Sequence, residues 1–124
     1  MLDFVRTQLI QNGCTQGAVF NRFNGHVWGV SPSSLVISAS EQAGLGAFVN
    51  GGSSVTIGGV KYIVTKTLFS TTTNLKGWEL SSANEKATIE ETNSMIIFGS
   101  WSSSTSGCQA GVNKLQNYFF NLGM

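Results

Sequence analysis

The sequence predicts an α+β fold in which a central antiparallel sheet carries the N- and C-terminal helices on one face. Apolar residues recur at helical spacing at both ends of the chain, and β-branched and aromatic runs fill the middle. Two turn dipeptides, Asn24-Gly25 and Gly58-Gly59, join neighbouring runs as hairpins. With 124 residues the chain has the length of one ordinary domain, so we expect a single domain over residues 1–124.

The first half of the chain predicts two helices separated by a hairpin. Apolar spacing and a terminal Asn12-Gly13 favour a helix at the start, and Asn24-Gly25 indicates a type I′ turn. In chain order the predicted elements are a helix over Met1–Gly13, strands Ala18–Phe23 and His26–Val30, and a helix over Ser38–Phe48 with Ser40 as its N-cap.

The second half predicts five strands and a long final helix. The expected strands are Val55–Ile57, Val60–Leu68, Leu75–Leu80, Ala87–Thr92 and Met95–Trp101. The last of them is continuously apolar at its start, which is typical of a central strand covered on both faces. The final helix is indicated by one apolar stripe, formed by Cys108, Val112, Leu115, Phe119 and Leu122.

Composition excludes several classes of protein. Seven Lys and Arg against six Asp and Glu leave a formal charge of +1, which does not fit a nucleic-acid binder that neutralises phosphates or a polybasic membrane anchor. A hydrophobic fraction of 41% is too high for a disordered chain, and no apolar run approaches the roughly 18 residues of a membrane span. Asp3 and Arg6 interrupt the apolar N-terminus, so we expect no secretory signal and a cytoplasmic protein.

No pattern in the sequence predicts catalysis, a metal site or a cofactor. His26 is the only histidine and adjoins a turn, which favours a solvated side chain. Glu90 and Glu91 point to opposite faces of their strand and cannot act as a facing pair. Cys14 and Cys108 could approach one another if the terminal helices pack, but in a reducing compartment we expect free, largely buried thiols.

Aromatic residues near the terminal helices and first hairpin leave two interpretations open. They could line a shallow patch suited to an extended proline-rich ligand, or they could fill the core. The residues in question are Phe4, Trp28, Tyr118, Phe119 and the C-terminal Met124.

Four stretches of the chain together resemble the profilin family. Val27-Trp28-Gly29 follows a hairpin, and Gly58–Val64 is similar to the family's Gly-Gly-x-Lys-Tyr-x-Val strand. Ala87–Phe98 resembles its paired late strands, and Gly107–Phe119 resembles its C-terminal helix. The short N-terminus and divergent loops indicate a distant branch, such as one from a unicellular eukaryote.

The resemblance implies a protein that binds monomeric actin and proline-rich ligands, such as filament elongation factors, and regulates actin polymerisation. By position, the implied actin-binding residues are Lys61, Ile63, Lys66, Lys76, Thr88, Ser106, Gln109 and Asn113. The implied proline-binding residues are Phe4, Trp28, Tyr118, Phe119 and Met124. The family also implies a monomer, whereas phosphoinositide binding is not favoured, because the seven basic residues are scattered.

Two departures from the family pattern concern the proline site. Met1 stands about where the family has a tryptophan, and Phe4 stands where it usually has tyrosine. Phe4 lacks a hydroxyl that could donate to a ligand carbonyl, a bond worth roughly 0.5–1.5 kcal/mol. We therefore expect weaker binding of proline-rich peptides than is usual for the family.

Two other functions remain open at the level of the sequence. Similar small α+β sheets, including those of profilin- or roadblock-like modules, form dimeric scaffolds for trafficking or GTPase complexes without binding actin. A small-molecule sensor domain is the third hypothesis, and it would require a pocket. A dimer in solution would favour the scaffold over the actin-binding protein.

Overall fold

The computed structural model describes residues 2–71, 73–102 and 107–124, with only the main chain described for residues 2–4. The helices are α1 (Leu2–Gln8), α2 (Ala39–Phe48) and α3 (Gly107–Asn121), and a 3-10 turn spans Ile10–Asn12. The strands are β1 (Gln16–Asn21), β2 (Val27–Ser31), β3 (Ser54–Ile57), β4 (Val60–Phe69), β5 (Lys76–Ser81), β6 (Lys86–Glu91) and β7 (Met95–Trp101). The predicted α+β class and the order of its elements are confirmed.

The strands form one antiparallel sheet in the order β2-β1-β7-β6-β5-β4-β3. Strand β7 lies between β1 and β6 and is buried along its whole length, as its apolar run predicts. The edges of the sheet are β2 and β3, which are far apart in the strand order. Two of the candidate surfaces described below lie toward these opposite edges of the sheet.

Each face of the sheet carries its own core. On one face α2 packs Leu45 and Phe48 against sheet residues that include Phe20 and Phe98. On the other face α1 and α3 pack together over β1 and β7, as expected for the terminal helices. Alternation along the strands sends successive side chains to these two faces, so position in a strand decides which core a residue joins.

The N-cap of helix α2 lies two residues before the one that the sequence predicts. Its N-cap is Ser38 rather than Ser40: the Ser38 hydroxyl accepts from the Glu41 amide at 3.2 Å, and the Glu41 carboxylate accepts from the Ser38 amide. The same carboxylate accepts from the amides of Gly58 and Gly59 at 3.0 and 2.9 Å. Glu41 therefore ties the start of α2 to the predicted β3–β4 turn, whose two glycines have positive φ angles of 62° and 82°.

The first hairpin forms as predicted, but the prediction of a type I′ turn is wrong. The connection is longer than two residues, and among the described residues Asn74 is the only non-glycine with positive φ, so Asn24 does not take a type I′ conformation. Asn21 Oδ1 accepts from the Phe23 amide, and Asn24 Oδ1 accepts from the His26 amide. These side-chain bonds stabilise a wider turn in which Gly25 alone has positive φ.

The prediction of free cysteine thiols is wrong, although the predicted burial of both residues is confirmed. Cys14 and Cys108 form a disulfide with an S–S distance of 2.12 Å, and the two residues are 3% and 0% exposed. The packing of the terminal helices brings the start of α3 against the chain just before β1, which places the two Cα atoms 4.4 Å apart. From the sequence, the two cysteines were expected to lie close together only if the terminal helices pack, and this packing is present.

Candidate partner-binding surfaces

Strand β4 presents an exposed row of Lys61, Ile63 and Lys66 on the sheet face that carries α3. Lys61 and Ile63 alternate with the buried Tyr62 and so share this face. Strict alternation would turn Lys66 away, but a bulge between Val64 and Lys66 adds one residue and returns it to the same face. Helix α3 lies over β6 and β7, so it leaves this row uncovered.

Two other residues implied by the family resemblance lie elsewhere. Thr88 is fully buried beneath α3, and its hydroxyl donates to the Trp78 carbonyl at 3.2 Å, so it has no surface to offer a partner. Lys76 is exposed, but it pairs with Phe69 on the strand side opposite that of Lys66. Ser106 lies outside the described residues.

A cleft of about 610 Å³ lies between α3 and the β4–β5 end of the sheet. Gln109 and Asn113 line its helical wall, and Lys76 and Leu68 line its strand wall. The cleft therefore brings two of the implied actin-binding residues on α3 next to the exposed part of the sheet. Sequence spacing alone did not indicate a cleft here.

Glu90 is a candidate site residue that the sequence reasoning missed. It lines the cleft with only 5% of its surface exposed, and its Oε1 accepts from Asn113 Nδ2 at 3.0 Å. Burial raises the pKa of this carboxyl, while the Asn113 hydrogen bond lowers it and only partly offsets the effect of burial. The sequence contains a signal for this residue, because Glu90 lies in the strand predicted to precede the continuously apolar one. A buried carboxylate there is energetically costly unless it has a partner.

The neighbouring Glu91 points to the opposite face, as the alternation of the strand predicts. Its carboxylate lies 3.2 Å from the Arg22 guanidinium and accepts from the Lys76 amide at 2.8 Å. Glu91 thus has a cationic partner, whereas within the described chain Glu90 forms no ion pair. The two adjacent carboxylates have different electrostatic environments.

The aromatic residues divide between surface and core, so each of the two interpretations holds for some of them. Trp28 is 39% exposed and Tyr118 is 50% exposed, whereas Phe119 is 2% exposed and belongs to the core beneath α1 and α3. The Phe119 ring contacts both of the others, with centroids 5.5 Å from Trp28 and 5.6 Å from Tyr118. Trp28 and Tyr118 are therefore held against a buried ring and form an exposed aromatic surface, which we call the Trp28–Tyr118 surface.

The last residues of α3 define the border of this surface. Leu122 was expected in the buried stripe but is 58% exposed, because α3 ends at Asn121 and the chain turns there. Met124 packs against the core, and its carbonyl oxygen accepts from Thr92 Oγ1 and Ser94 Oγ at 2.8 and 2.7 Å. These bonds tie the end of α3 to the β6–β7 turn. The Phe4 side chain lies outside the described part of the chain.

No group of histidine, cysteine or acidic residues in the described ranges is arranged to hold a metal ion. No helix in the described chain is long and apolar enough to span a membrane. The features that remain are surfaces: a basic and apolar row on β4, a cleft with a buried carboxylate, and an exposed aromatic pair.

Comparison with known proteins defines the class to which this fold and these surfaces belong. The profilin family model matches residues 2–124, and the chain therefore belongs to the profilin family. The family is non-enzymatic, in agreement with the sequence prediction. No curated protein sequence matches the chain significantly.

Solved profilin structures share the fold at low sequence identity. Acanthamoeba castellanii profilin IA is 19% identical with a TM-score of 0.79, over 99% of this chain and 98% of that one. Schizosaccharomyces pombe profilin is 19% identical with a TM-score of 0.81, over the same shares of the two chains. Mouse profilin IIa, in complex with a double repeat from the FH1 domain of mDia1, is 15% identical with a TM-score of 0.67, over 98% and 97%. The chain is thus a divergent member of the family.

Proposed function

We propose that this protein binds one actin monomer through the β4 row and the adjoining start of α3, and regulates actin polymerisation. The observation that carries the proposal is the shared face: Lys61, Ile63 and Lys66 lie on the side of the sheet that also presents Gln109 and Asn113. Family membership supplies actin as the partner. Thr88 contributes by supporting the sheet beneath α3 rather than by contact, because it is buried.

The chemistry of the row suits a protein partner with an acidic rim. Lys61 and Lys66 supply positive charge at the periphery, which speeds association and fixes orientation more than it adds affinity. Ile63, 55% exposed between them, supplies apolar area that is desolvated on docking. Occlusion of one actin surface blocks self-nucleation and addition at the pointed end, while addition at the barbed end continues.

The Trp28–Tyr118 surface is proposed to bind proline-rich segments. Flat aromatic faces bind polyproline II helices at low entropic cost, because the ligand is already extended. The mouse relative was solved with an FH1 repeat, which supports this ligand class for the fold. Phe119 orients the surface from below, and the residue Phe4, lacking a tyrosine hydroxyl, favours weaker binding than is usual in the family.

The two surfaces lie at opposite ends of the sheet and leave room for both partners. Trp28 is on β2 at one edge of the strand order, whereas the lysine row is on β4, next to the other edge. A proline-rich elongation factor could therefore hold the protein while it carries actin, which raises the local actin concentration at a filament end. We place this activity in the cytoplasm and expect a monomer, and the scattered basic residues do not favour phosphoinositide binding.

Two titrations and one mass measurement test the proposal. Calorimetry with monomeric actin is expected to give one-to-one binding with a micromolar Kd, that is, about −8 kcal/mol. Poly-L-proline is expected to change tryptophan fluorescence, and the change should vanish in Trp28→Phe while Trp78 and Trp101 still emit. Absence of actin binding together with a dimer by light scattering would contradict the proposal and favour the scaffold function.

A further inference from the structure

The cleft between α3 and the β4–β5 end of the sheet contains a buried carboxyl group, that of Glu90, which has no cationic partner among the described residues. Glu90 forms the floor, with Asn113 as its one hydrogen-bond partner among the described residues. The Asn113 amide neutralises little of the charge of a carboxylate, because it is a dipole rather than a cation. The site is thus incomplete in the free protein.

The other walls of the cleft do not supply the missing charge. From α3 it receives three amide side chains, those of Gln109, Asn113 and Gln116, together with Ala110, and β4 contributes Leu68 and Phe69. Among the described residues of the lining, Lys76 at the rim is the only charged one besides Glu90, and the two form no ion pair. Glu91 and Arg22 are paired with each other, and Glu91 points to the opposite sheet face.

We propose that this cleft is a subsite for a long basic side chain, lysine or arginine, of the protein partner that docks on the β4 row. The volume of about 610 Å³ is sufficient for such a side chain together with water. Its cation pairs with Glu90, and its remaining N–H groups meet the amide oxygens of the helical wall. Charge complementarity identifies the occupant, because a neutral or acidic group would leave the carboxylate uncompensated.

This inference rests on the proposed actin-binding face and makes that face electrostatically mixed. Lys61 and Lys66 attract the acidic rim of the partner at the periphery of the face, whereas Glu90 pairs with one basic residue of the partner at the inner end of the face. A carboxylate among lysines fixes how the partner is positioned on this face, because the docked partner has to place one cation at one point. Burial raises the pKa of Glu90 in the free protein, and a docked cation lowers it again, so binding is coupled to proton release wherever the carboxyl is partly protonated before docking.

The first experiment uses actin and the variant Glu90→Gln, which keeps the shape of the side chain and its acceptor for Asn113. We expect at least tenfold weaker actin binding by calorimetry. Titrations in buffers of different ionisation enthalpy, repeated over a series of pH values above 4.5, should show proton release for the unmodified protein and none for Glu90→Gln. A purely structural role for Glu90 would leave no difference in proton release. Equal affinity and equal proton release for the two proteins would overturn the inference.

The second experiment separates this inference from the proposed function, because it needs no actin. n-Propylguanidinium, at millimolar concentration, should shift the Asn113 side-chain amide resonances of the unmodified protein in a saturable manner. The neutral analogue n-propylurea should not shift them, nor should n-propylguanidinium act on Glu90→Gln. No saturable shift, or the same shift in both proteins, would overturn the subsite even if actin binds. Failure of actin binding alone would count against the proposed function.

Discussion

Trp28 and Phe119 meet edge to face, with ring centroids 5.5 Å apart and an interplanar angle of 76°. One ring is partly exposed on an edge strand, and the other is buried in the core between the terminal helices. Such pairs contribute about 0.5–1.5 kcal/mol beyond area burial and restrict the orientation of both rings. The exposed surface is therefore pre-organised by the core beneath it, which lowers the entropic cost of binding a ligand.

Removal of the Trp28 ring is expected to weaken poly-L-proline binding at least tenfold, or by about 1.4 kcal/mol. Trp28→Ala removes half of the exposed aromatic pair but little of the core, so the urea midpoint should change little. Phe23→Ala is the matched control, because Phe23 is also an exposed aromatic residue but lines a cleft against α2. Equal effects of the two variants on peptide affinity, followed by calorimetry, would place the proline site elsewhere.

The disulfide between Cys14 and Cys108 predicts that no thiol is free in the purified protein. Thiol titration in denaturant without reductant should find none, against two for free cysteines. The bond links residues 94 apart in sequence, and its reduction should lower the free energy of unfolding by about 2–4 kcal/mol, because the unfolded chain gains freedom. In Cys14→Ser/Cys108→Ser the reductant should have no effect. Two reactive thiols in the unmodified protein would contradict the disulfide.

The start of α2 offers a comparison of two neighbouring serines. Ser38→Ala should lower the free energy of unfolding by about 1 kcal/mol, because it removes the acceptor for the Glu41 amide. Ser40→Ala should cost less, since Ser40 lies inside the helix and caps none of its amides. Urea unfolding of both variants measures the difference. The reverse order would show that the helix begins at Ser40.

Glu90 predicts a pH dependence of stability with a definite sign. Its pKa is raised in the folded state by burial, so the folded protein binds the proton more tightly than the unfolded chain does. This contribution is fully present below the ordinary glutamate pKa of 4.5 and is lost as pH rises through the raised value. Glu90→Gln should therefore be more stable than the unmodified protein near pH 7, with the difference decreasing toward pH 4.5. Denaturant unfolding at a series of pH values measures it, and a difference independent of pH would contradict the assignment.

Local patterns in the sequence were sufficient to predict the fold. Helical spacing, turn glycines and a continuous apolar strand each depend on neighbouring residues only, and the helices and strands that they predict are present in the structure. The turn at Asn24 was the exception, since side-chain hydrogen bonds from Asn21 compete with the type I′ geometry that Asn-Gly favours. The cap at Ser38 was missed by two residues, within the range in which helix ends are least certain.

The candidate surfaces depended on relationships that sequence patterns do not report. Lys66 shares a face with Lys61 only because of the bulge after Val64, and a bulge is a property of the pairing of two strands. Lys76 lies outside the row because strand register turns it to the opposite face, and Thr88 lies outside it because α3 covers it. The burial of Glu90 depends on the position of α3 over β6, because the helix shields the carboxylate and leaves a cleft beside it.

The central claim, that the β4 row binds actin, is tested most directly by one calorimetric comparison. Lys61→Glu/Lys66→Glu reverses the charge of the row, and Lys114→Glu reverses an exposed charge on α3 outside the lining of the cleft. We expect micromolar one-to-one actin binding for the unmodified protein, at least tenfold weaker binding for the double variant, and little change for Lys114→Glu. Actin binding that the double variant retains in full would contradict the assignment of this face.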